Sequence, residues 1–274
     1  RKPVRRLERS SLFRRMAPGA KHAQLIAANI DSVLIVSSCN HDFNLSRVER
    51  YLALVREAGC RACLVLTKAD QSDDHVSFTD ALKGHRDLPV ILVNALDEAS
   101  VAPLHDYCRS GETLALLGSS GVGKSTLLNS LAGSQLAATS GIREDDSKGR
   151  HTTRHRALYA IPDGGLLLDS PGMRELGLAD ISEGLAATFA DIGKLAAQCR
   201  FADCAHESEP GCAVQAAIES GELDERRLRN WRKLEREVAR NSKTLAESRA
   251  DERAFSQMVR RVMSDSRARK GGED

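Results

Sequence analysis

Short apolar runs punctuate the chain: Val33–Val36 inside "IAANIDSVLIVSS", "ACLVLT" at Ala62–Thr67, "PVILVN" at Pro89–Asn94 and "TLALL" at Thr113–Leu117. Runs this short and this continuous predict strands buried on both faces. "LSRVERYLALVREAG" (Leu45–Gly59) instead spaces its apolar residues three and four apart and closes on glycine, the pattern of an amphipathic helix. Ala81–Arg86 is a further short helical candidate. Lys124–Ala132 predicts a helix with Leu127, Leu128 and Leu131 on one face. Ala157–Ile161 and Leu166–Leu168 flank "PDGG", a hairpin signal. Strands alternating with helices predict an α/β fold with a mostly parallel sheet flanked by helices.

The two ends differ from this middle. Residues 1–22 read as basic and irregular. After about Ala190 the alternation stops: a cysteine-rich patch comes first, then a highly charged helical stretch, Leu223–Arg261. The predicted organisation is therefore a basic segment (1–22), an α/β domain (23–190), a small and largely helical domain (191–262) and a disordered tail (263–274).

The sequence has 274 residues, with 41% apolar and 28% charged side chains, ordinary for a globular protein. Aromatic residues are only 4%, which argues against a surface built on stacked bases. Net charge is +2, but Arg1, Lys2, Arg5, Arg6, Arg9, Arg14 and Arg15 crowd one end, and Arg226, Arg227, Arg229, Arg232 and Lys233 a later segment. Such clusters are either solvated faces or contacts to an anionic polymer such as RNA. No run is long and apolar enough to span a bilayer, and no signal peptide is recognisable, so a cytoplasmic protein is expected. The seven cysteines then read as reduced thiols or metal ligands.

"GSSGVGKST" (Gly118–Thr126) fits G-x-x-x-x-G-K-[ST]. Gly118, Gly121 and Gly123 let the backbone curl, so that the N–H groups of Ser119, Ser120, Val122 and their neighbours can point at phosphate oxygens. The helix that follows adds its positive end. Lys124 can reach the β- and γ-phosphates and neutralise charge during transfer, Ser125 can ligate Mg²⁺, and Thr126 closes the loop. The strand before and the apolar-faced helix after give the motif its proper setting.

Other segments supply what this loop lacks. "TKAD" (Thr67–Asp70) ends a strand. There Asp70 can accept two hydrogen bonds from the guanine edge, and the stem of Lys68 can lie over the base. Alone the tetrapeptide is equally an ordinary loop. "VNAL" ends another strand, where the Ala95 backbone N–H can meet the guanine carbonyl, with Asn94 beside it in the nucleotide site. "LLLDSPGM" sets Asp169 at a strand end, able to hold Mg²⁺ through water, and Gly172 can bring an N–H to the γ-phosphate. Between loop and strand, "SKGRHTTRH" offers Thr152 or Thr153 as a switch ligand for Mg²⁺.

"CRFADCAHESEPGC" places Cys199, Cys204, His206 and Cys212 at C-x4-C-x-H-x5-C. Three thiolates and an imidazole suit one closed, tetrahedral, structural Zn²⁺ site. "CRAC" (Cys60–Cys63) has no second pair of ligands nearby and reads as packing, as do Cys39 and Cys108.

These parts form a guanine-nucleotide set in rotated order: base-reading segments first, phosphate loop and switches after. The rotation resembles the circularly permuted GTPases. "AANID", "GSSGVGKSTLLNSL", "GRHTT", "DSPGMREL" and the cysteine patch together resemble the RsgA family of small ribosomal subunit biogenesis GTPases. The resemblance runs from about Arg9 to about Lys233. It implies a GTPase that binds the small subunit and its rRNA in the GTP state, acts late in maturation and leaves after hydrolysis, with the zinc region as a docking module. It also implies that residues 1–22 are the trailing edge and linker of an RNA-binding OB-fold barrel. By the same resemblance His151 positions or activates water, since Met173 stands where a water-orienting glutamine would. Thr67 replaces the family's asparagine, Asn94 a serine, and Arg154 a third threonine. A monomer without membrane contact is expected. Two other readings stay open: another P-loop hydrolase or kinase, and a nucleotide- and zinc-binding module uncoupled from the ribosome.

Overall fold

Val33–Val36 has no polar alternation, so both faces of its strand need cover, and a central strand provides that. The computed structural model puts it there. Described are residues 7–16, 23–136, 157–162, 164–170, 173, 181–242 and 253. Strand β3 (Ser32–Ser38) is buried along its whole length. It lies between β4 (Arg61–Thr67) and β6 (Thr113–Leu117), parallel to both. β5 (Val90–Leu92) continues the sheet beyond β4. On the other side β8 (Leu166–Asp169) is parallel to β6, and β7 (Ala157–Ala160) closes the edge antiparallel to β8. The order is β5-β4-β3-β6-β8-β7.

The chain thus starts near the middle, builds one half of the sheet, then crosses to build the other. β3 and β6 meet at this seam. Asp31 holds it: its N–H donates to Thr113 O at 2.9 Å and its Oδ2 accepts from Thr113 N at 2.7 Å.

Helices cover both faces. α1 (Leu45–Glu57) begins at Asn44, whose side chain accepts from Arg47 N, and ends before Gly59 at φ 76°. Val33 and Ile35 join Leu52 and Val55 of α1 in one core, while Leu34 and Val36 join Leu127 and Leu131 of α4 (Lys124–Ala132) in the other. Two short helices lie between these: α2 (His75–Ala81) and α3 (Glu98–Val101).

The α1 core continues into the C-terminal part: α5 (Ser182–Thr188), α6 (Ala190–Ala196), α7 (Ala213–Glu219) and α8 (Glu225–Ser242). Val214, Leu228, Leu234 and Val238 share one buried cluster with Leu52. α5 crosses α1 so closely that a Cβ on Gly184 would sit 2.1 Å from Ala53 O, so this crossing needs glycine.

Three expectations change. Residues 1–22 are not irregular throughout: β1 (Leu12–Met16) pairs antiparallel with β2 (Ala23–Ala28) across a bulge at Phe13/Arg14. Phe13 is buried in the α1 core, and Ser11 Oγ exchanges hydrogen bonds of 2.7 Å with Ile30. Arg14 and Arg15, inside the strand, hid its apolar residues. The helix expected at Ala81–Arg86 lies earlier, at His75–Ala81, because Asp74 Oδ1 caps Ser77 N at 3.0 Å and Phe78 packs edge-on to Phe43. Residues Lys83–Arg86 form a turn. The long charged helix runs Glu225–Ser242, and its expected extension to Arg261, like the tail, lies outside the described residues except for Arg253. No helix among the described residues is long and apolar enough to cross a membrane.

Candidate functional site

Parallel strands end on the same side, so residues far apart in sequence converge where β3, β4, β6 and β8 finish. Thr67, Gly118 and Asp169 all lie there. Gly118 has φ 156°, and a Cβ on it would stand 2.3 Å from Val36 O, so only glycine passes beneath β3 at this point. Gly121 and Gly123 are left-handed at φ 80° and 89°, and α4 starts at Lys124. Lys124 is buried, and its Nζ donates to Ser119 O, folding the lysine back over the loop. Val122 is buried, Ser119, Ser125 and Thr126 are half-buried, and Ser120 is exposed.

The two halves of the site touch directly. Thr67 Oγ1 donates to Val122 O at 2.6 Å and lies 3.1 Å from Ser37 O. The hydroxyl therefore ties the strand before Lys68 and Asp70 to the phosphate loop. Lys68 is left-handed at φ 57° and leads into a short 3-10 turn, Ala69–Gln71, which leaves Asp70 exposed. Ala69 N donates to Val93 O at 3.3 Å, joining this turn to the one at Asn94 and Ala95. Asn94 Oδ1 accepts from Leu96 N at 3.0 Å, and Ser130 of α4 donates to Ala95 O at 2.5 Å. Thr67, Lys68, Asp70, Asn94, Ala95, the loop Gly118–Thr126 and Asp169 thus form one edge of the sheet. His151, Thr152, Thr153, Arg154 and Gly172 lie outside the described residues. Met173 is described and buried in the α1 core, its side chain committed to packing.

A second cluster lies beyond α6. Cys199, Cys204, His206 and Cys212 bring three sulfurs and a ring nitrogen within 4.8 Å of one another, a candidate metal site. Cys212 caps α7, and His206 adopts φ 60°. Glu209 shapes the ligand loop: its carboxylate accepts from Ala205 N at 2.9 Å, Glu207 N at 2.8 Å and Ser208 N at 3.1 Å. These backbone donors hold its pKa down at about 2. Gln215 donates to His206 O, and Arg232 of α8 donates to Ala205 O at 2.6 Å. Cys60, Cys63, Cys39 and Cys108 pack in the cores, and burial pushes the thiols of Cys60 and Cys63 up to about 11.

Sequence reasoning missed the groups between the two clusters. Glu49 of α1 is fully buried, yet it accepts from Arg227 at 2.8 Å, Arg226 at 3.0 and 3.1 Å and Asn230 at 2.5 Å, with His85 Nε2 at 3.2 Å. Burial alone would raise its pKa. Hydrogen bonds from His85 and Arg226, with the charges of Arg226 and Arg227, outweigh this and bring it to about 2. Arg227 also grips Asp191 at 2.7 and 2.8 Å, and Arg50 forks onto Glu237 with two bonds of 2.7 Å. Arg226 and Arg227 therefore spend hydrogen bonds on the buried Glu49. Arg229, Lys233, Arg236 and Arg240 are the exposed basic residues of α8. A charged residue inside an amphipathic helix such as Glu49 was the one visible signal. Its partners Arg226, Arg227 and Asn230, more than 170 residues on, were not.

The family model described as RsgA GTPase matches residues 6–179. A small ribosomal subunit biogenesis GTPase RsgA 2 of Vibrio parahaemolyticus is 56% identical over 268 residues, covering 97% of this chain and 75% of that relative. One of Mesorhizobium japonicum, named small ribosomal subunit biogenesis GTPase RsgA, is 48% identical over 242 residues, covering 87% and 70%. Among solved structures, YjeQ from Thermotoga maritima superposes with a TM-score of 0.61 at 27% identity, covering 85% of this chain and 77% of that one. YloQ, described as a circularly permuted GTPase, gives 0.61 at 27% identity, covering 86% and 75%.

Proposed function

The chain belongs to the RsgA GTPase family, and on that premise we propose that it hydrolyses GTP during late maturation of the small ribosomal subunit, at the sheet edge described above. The observation that carries the site is the bond from Thr67 Oγ1 to Val122 O, which joins a base-reading strand to a phosphate loop.

In this reading Asp70 accepts the guanine ring N–H and amine, the Lys68 stem covers the base, and the Ala95 N–H meets the carbonyl oxygen. Asn94 holds the turn that presents it, through its bond to Leu96 N. Gly118, Ser119, Ser120, Gly121, Val122, Gly123, Lys124, Ser125 and Thr126 wrap the phosphates with backbone N–H groups and the start of α4. Lys124 leaves Ser119 O for the β- and γ-phosphates. Ser125 with Thr152 or Thr153, and Asp169 through water, would hold Mg²⁺, which supplies positive charge between those phosphates. Gly172 N–H meets the γ-phosphate, and His151 positions the attacking water, a task the buried, apolar Met173 cannot perform.

Zn²⁺ is the ion proposed for the second cluster. A tetrahedral zinc bonds sulfur at about 2.3 Å and nitrogen at about 2.0–2.1 Å, which sets ligand atoms about 3.8 Å apart for two sulfurs and about 3.6 Å for sulfur and nitrogen. The distances are 3.9 Å between Cys199 and Cys212, and 3.5 Å from each to His206 Nδ1. The ion would be structural, with Glu209 and Gln215 setting the loop that carries its ligands. Exposed Arg229, Lys233, Arg236 and Arg240 are the proposed contacts to rRNA phosphates. A cytoplasmic monomer fits this role, binding the subunit in the GTP state and leaving as GDP forms.

The test is the GTPase rate with and without purified small subunits, together with competition by GTP and ATP. Subunit-stimulated turnover and preference for guanine are expected. Tighter ATP binding would make the protein another P-loop enzyme. Turnover indifferent to subunits would make it an uncoupled nucleotide- and zinc-binding module.

A further inference from the structure

We propose that Arg47 is a phosphate-contacting residue of the GTP site, supplied from the first turn of α1 and reading the terminal phosphate. This deepens the GTPase reading above and rests on it. Arg47 Nη1 donates to Ser119 Oγ at 3.0 Å, so a guanidinium from 72 residues upstream already lies on the phosphate loop. Lys124 Nζ ends on the same residue, at Ser119 O. Two cations therefore converge on two neutral oxygens of Ser119. Phosphate oxygens carry full charge and are stronger acceptors than a hydroxyl or an amide carbonyl. With GTP in the loop, both cations exchange Ser119 for phosphate. Ser119 is their placeholder.

The surroundings of Arg47 favour this exchange. Arg50 and Arg56, further along α1, are paired with Glu237 and Asp87, whereas no carboxylate among the described residues pairs with Arg47. A guanidinium has five N–H donors in a planar fork, and a single hydroxyl leaves most of them for another acceptor. The base of the side chain is well fixed. Ser38 Oγ donates to Asn40 Oδ1 at 2.8 Å, Asn40 Oδ1 also accepts from Asp42 N at 3.0 Å, and Asn44 Oδ1 caps Arg47 N at 2.9 Å. Side chains in a helix lean toward its N-terminus. Arg47 therefore points from α1 toward the ends of β3 and β6, where the loop lies. A fixed base with an exposed head group suits a residue that must move a short distance when the γ-phosphate arrives or leaves.

The experiment uses the full chain with Mg²⁺ and the variants Arg47→Ala and Arg47→Lys. Affinities for GDP and for a non-hydrolysable GTP analogue are measured alongside kcat and KM for GTP. Arg47 is exposed, and its cap uses the backbone N–H, so Arg47→Ala should melt with the wild type. Arg47→Ala is expected to weaken the analogue about tenfold, to leave GDP within about twofold, and to lower kcat by about 10²-fold, short of the ~10³–10⁵ of a full arginine finger because the site is open to water. Arg47→Lys should recover part of the analogue affinity. Equal weakening of GDP and analogue by Arg47→Ala would reduce Arg47 to a prop for the loop and overturn the proposal. Unchanged binding and kcat would overturn it too. A wild-type chain that binds neither nucleotide would instead defeat the GTPase reading, and this inference would fall with it.

Discussion

Arg227 Nη1 lies 2.8 Å from Glu49 Oε1, an ion pair between residues 178 apart in sequence whose side chains are 6% and 0% exposed. It joins α1, which follows the central strand of the sheet, to α8, which packs beside the metal cluster. Arg226, Asn230 and His85 complete the shell around the carboxylate. Removing Glu49 leaves the buried Arg227 with Asp191 alone and Arg226 without its buried partner, and removing Arg227 as well relieves the first of these costs. Glu49→Leu should therefore destabilise the chain by about 3–5 kcal/mol. Adding Arg227→Met to it should cost less than the two single changes summed, as a urea double-mutant cycle would reveal.

The same carboxylate predicts a pH dependence. Its folded pKa is about 2 against an ordinary 4.5, so its contribution is fully present above pH 4.5 and drains away as pH falls toward 2. The shift corresponds to about 3 kcal/mol in all. Asp191 and Glu237, both lowered, act in the same direction. Unfolding free energies at pH 5, 4 and 3 should fall steeply for the wild type and more gently for Glu49→Gln. Parallel slopes would exclude Glu49 as the source.

Chelation should act on the C-terminal helices first. One zinc per chain is expected by elemental analysis, and Cys212→Ser should lose it. Serine can keep the cap on α7 but not the thiolate ligand, so the variant should melt several degrees lower even in added zinc. A wild-type chain purified without metal, yet equally stable, would contradict the assignment.

Base recognition by Asp70, as proposed, should be separable from folding. Asp70 is exposed, whereas Thr67 is buried and bonded to the loop. Asp70→Ala should weaken GTP binding by roughly 10–100-fold, the cost of losing bonds to a charged acceptor, with little change in melting temperature. Thr67→Val should weaken binding and lower stability together, since it leaves Val122 O and Ser37 O without that hydroxyl.

His151→Ala tests catalysis. Turnover should fall by about 10²–10⁴-fold with nucleotide affinity retained, the expected loss for a residue that handles the attacking water. Equal rates for variant and wild type, with and without small subunits, would remove His151 from the mechanism.

Much of the sheet was legible along the chain because it depends on local signals. Four continuous apolar runs marked β3, β4, β5 and β6, and "PDGG" marked the turn between β7 and β8. The phosphate loop declared itself through glycines and a lysine at fixed spacing, and the metal ligands lie within fourteen residues. β1 was missed because Arg14 and Arg15 interrupt its apolar residues, and α2 because its start depends on one aspartate cap. Neither Glu49 nor Arg47 could be assigned from sequence. A glutamate and an arginine on an amphipathic helix look alike until one knows which face meets α8 and which end meets the loop. Sequence by itself determined which residues could bind phosphate, base and metal, because those chemistries need particular side chains at particular spacings. Only the tertiary structure decided which distant charges meet, because that depends on how the sheet is closed and which helix crosses it. Closing the sheet brought Thr67 onto Val122, Arg47 onto Ser119 and Arg227 onto Glu49.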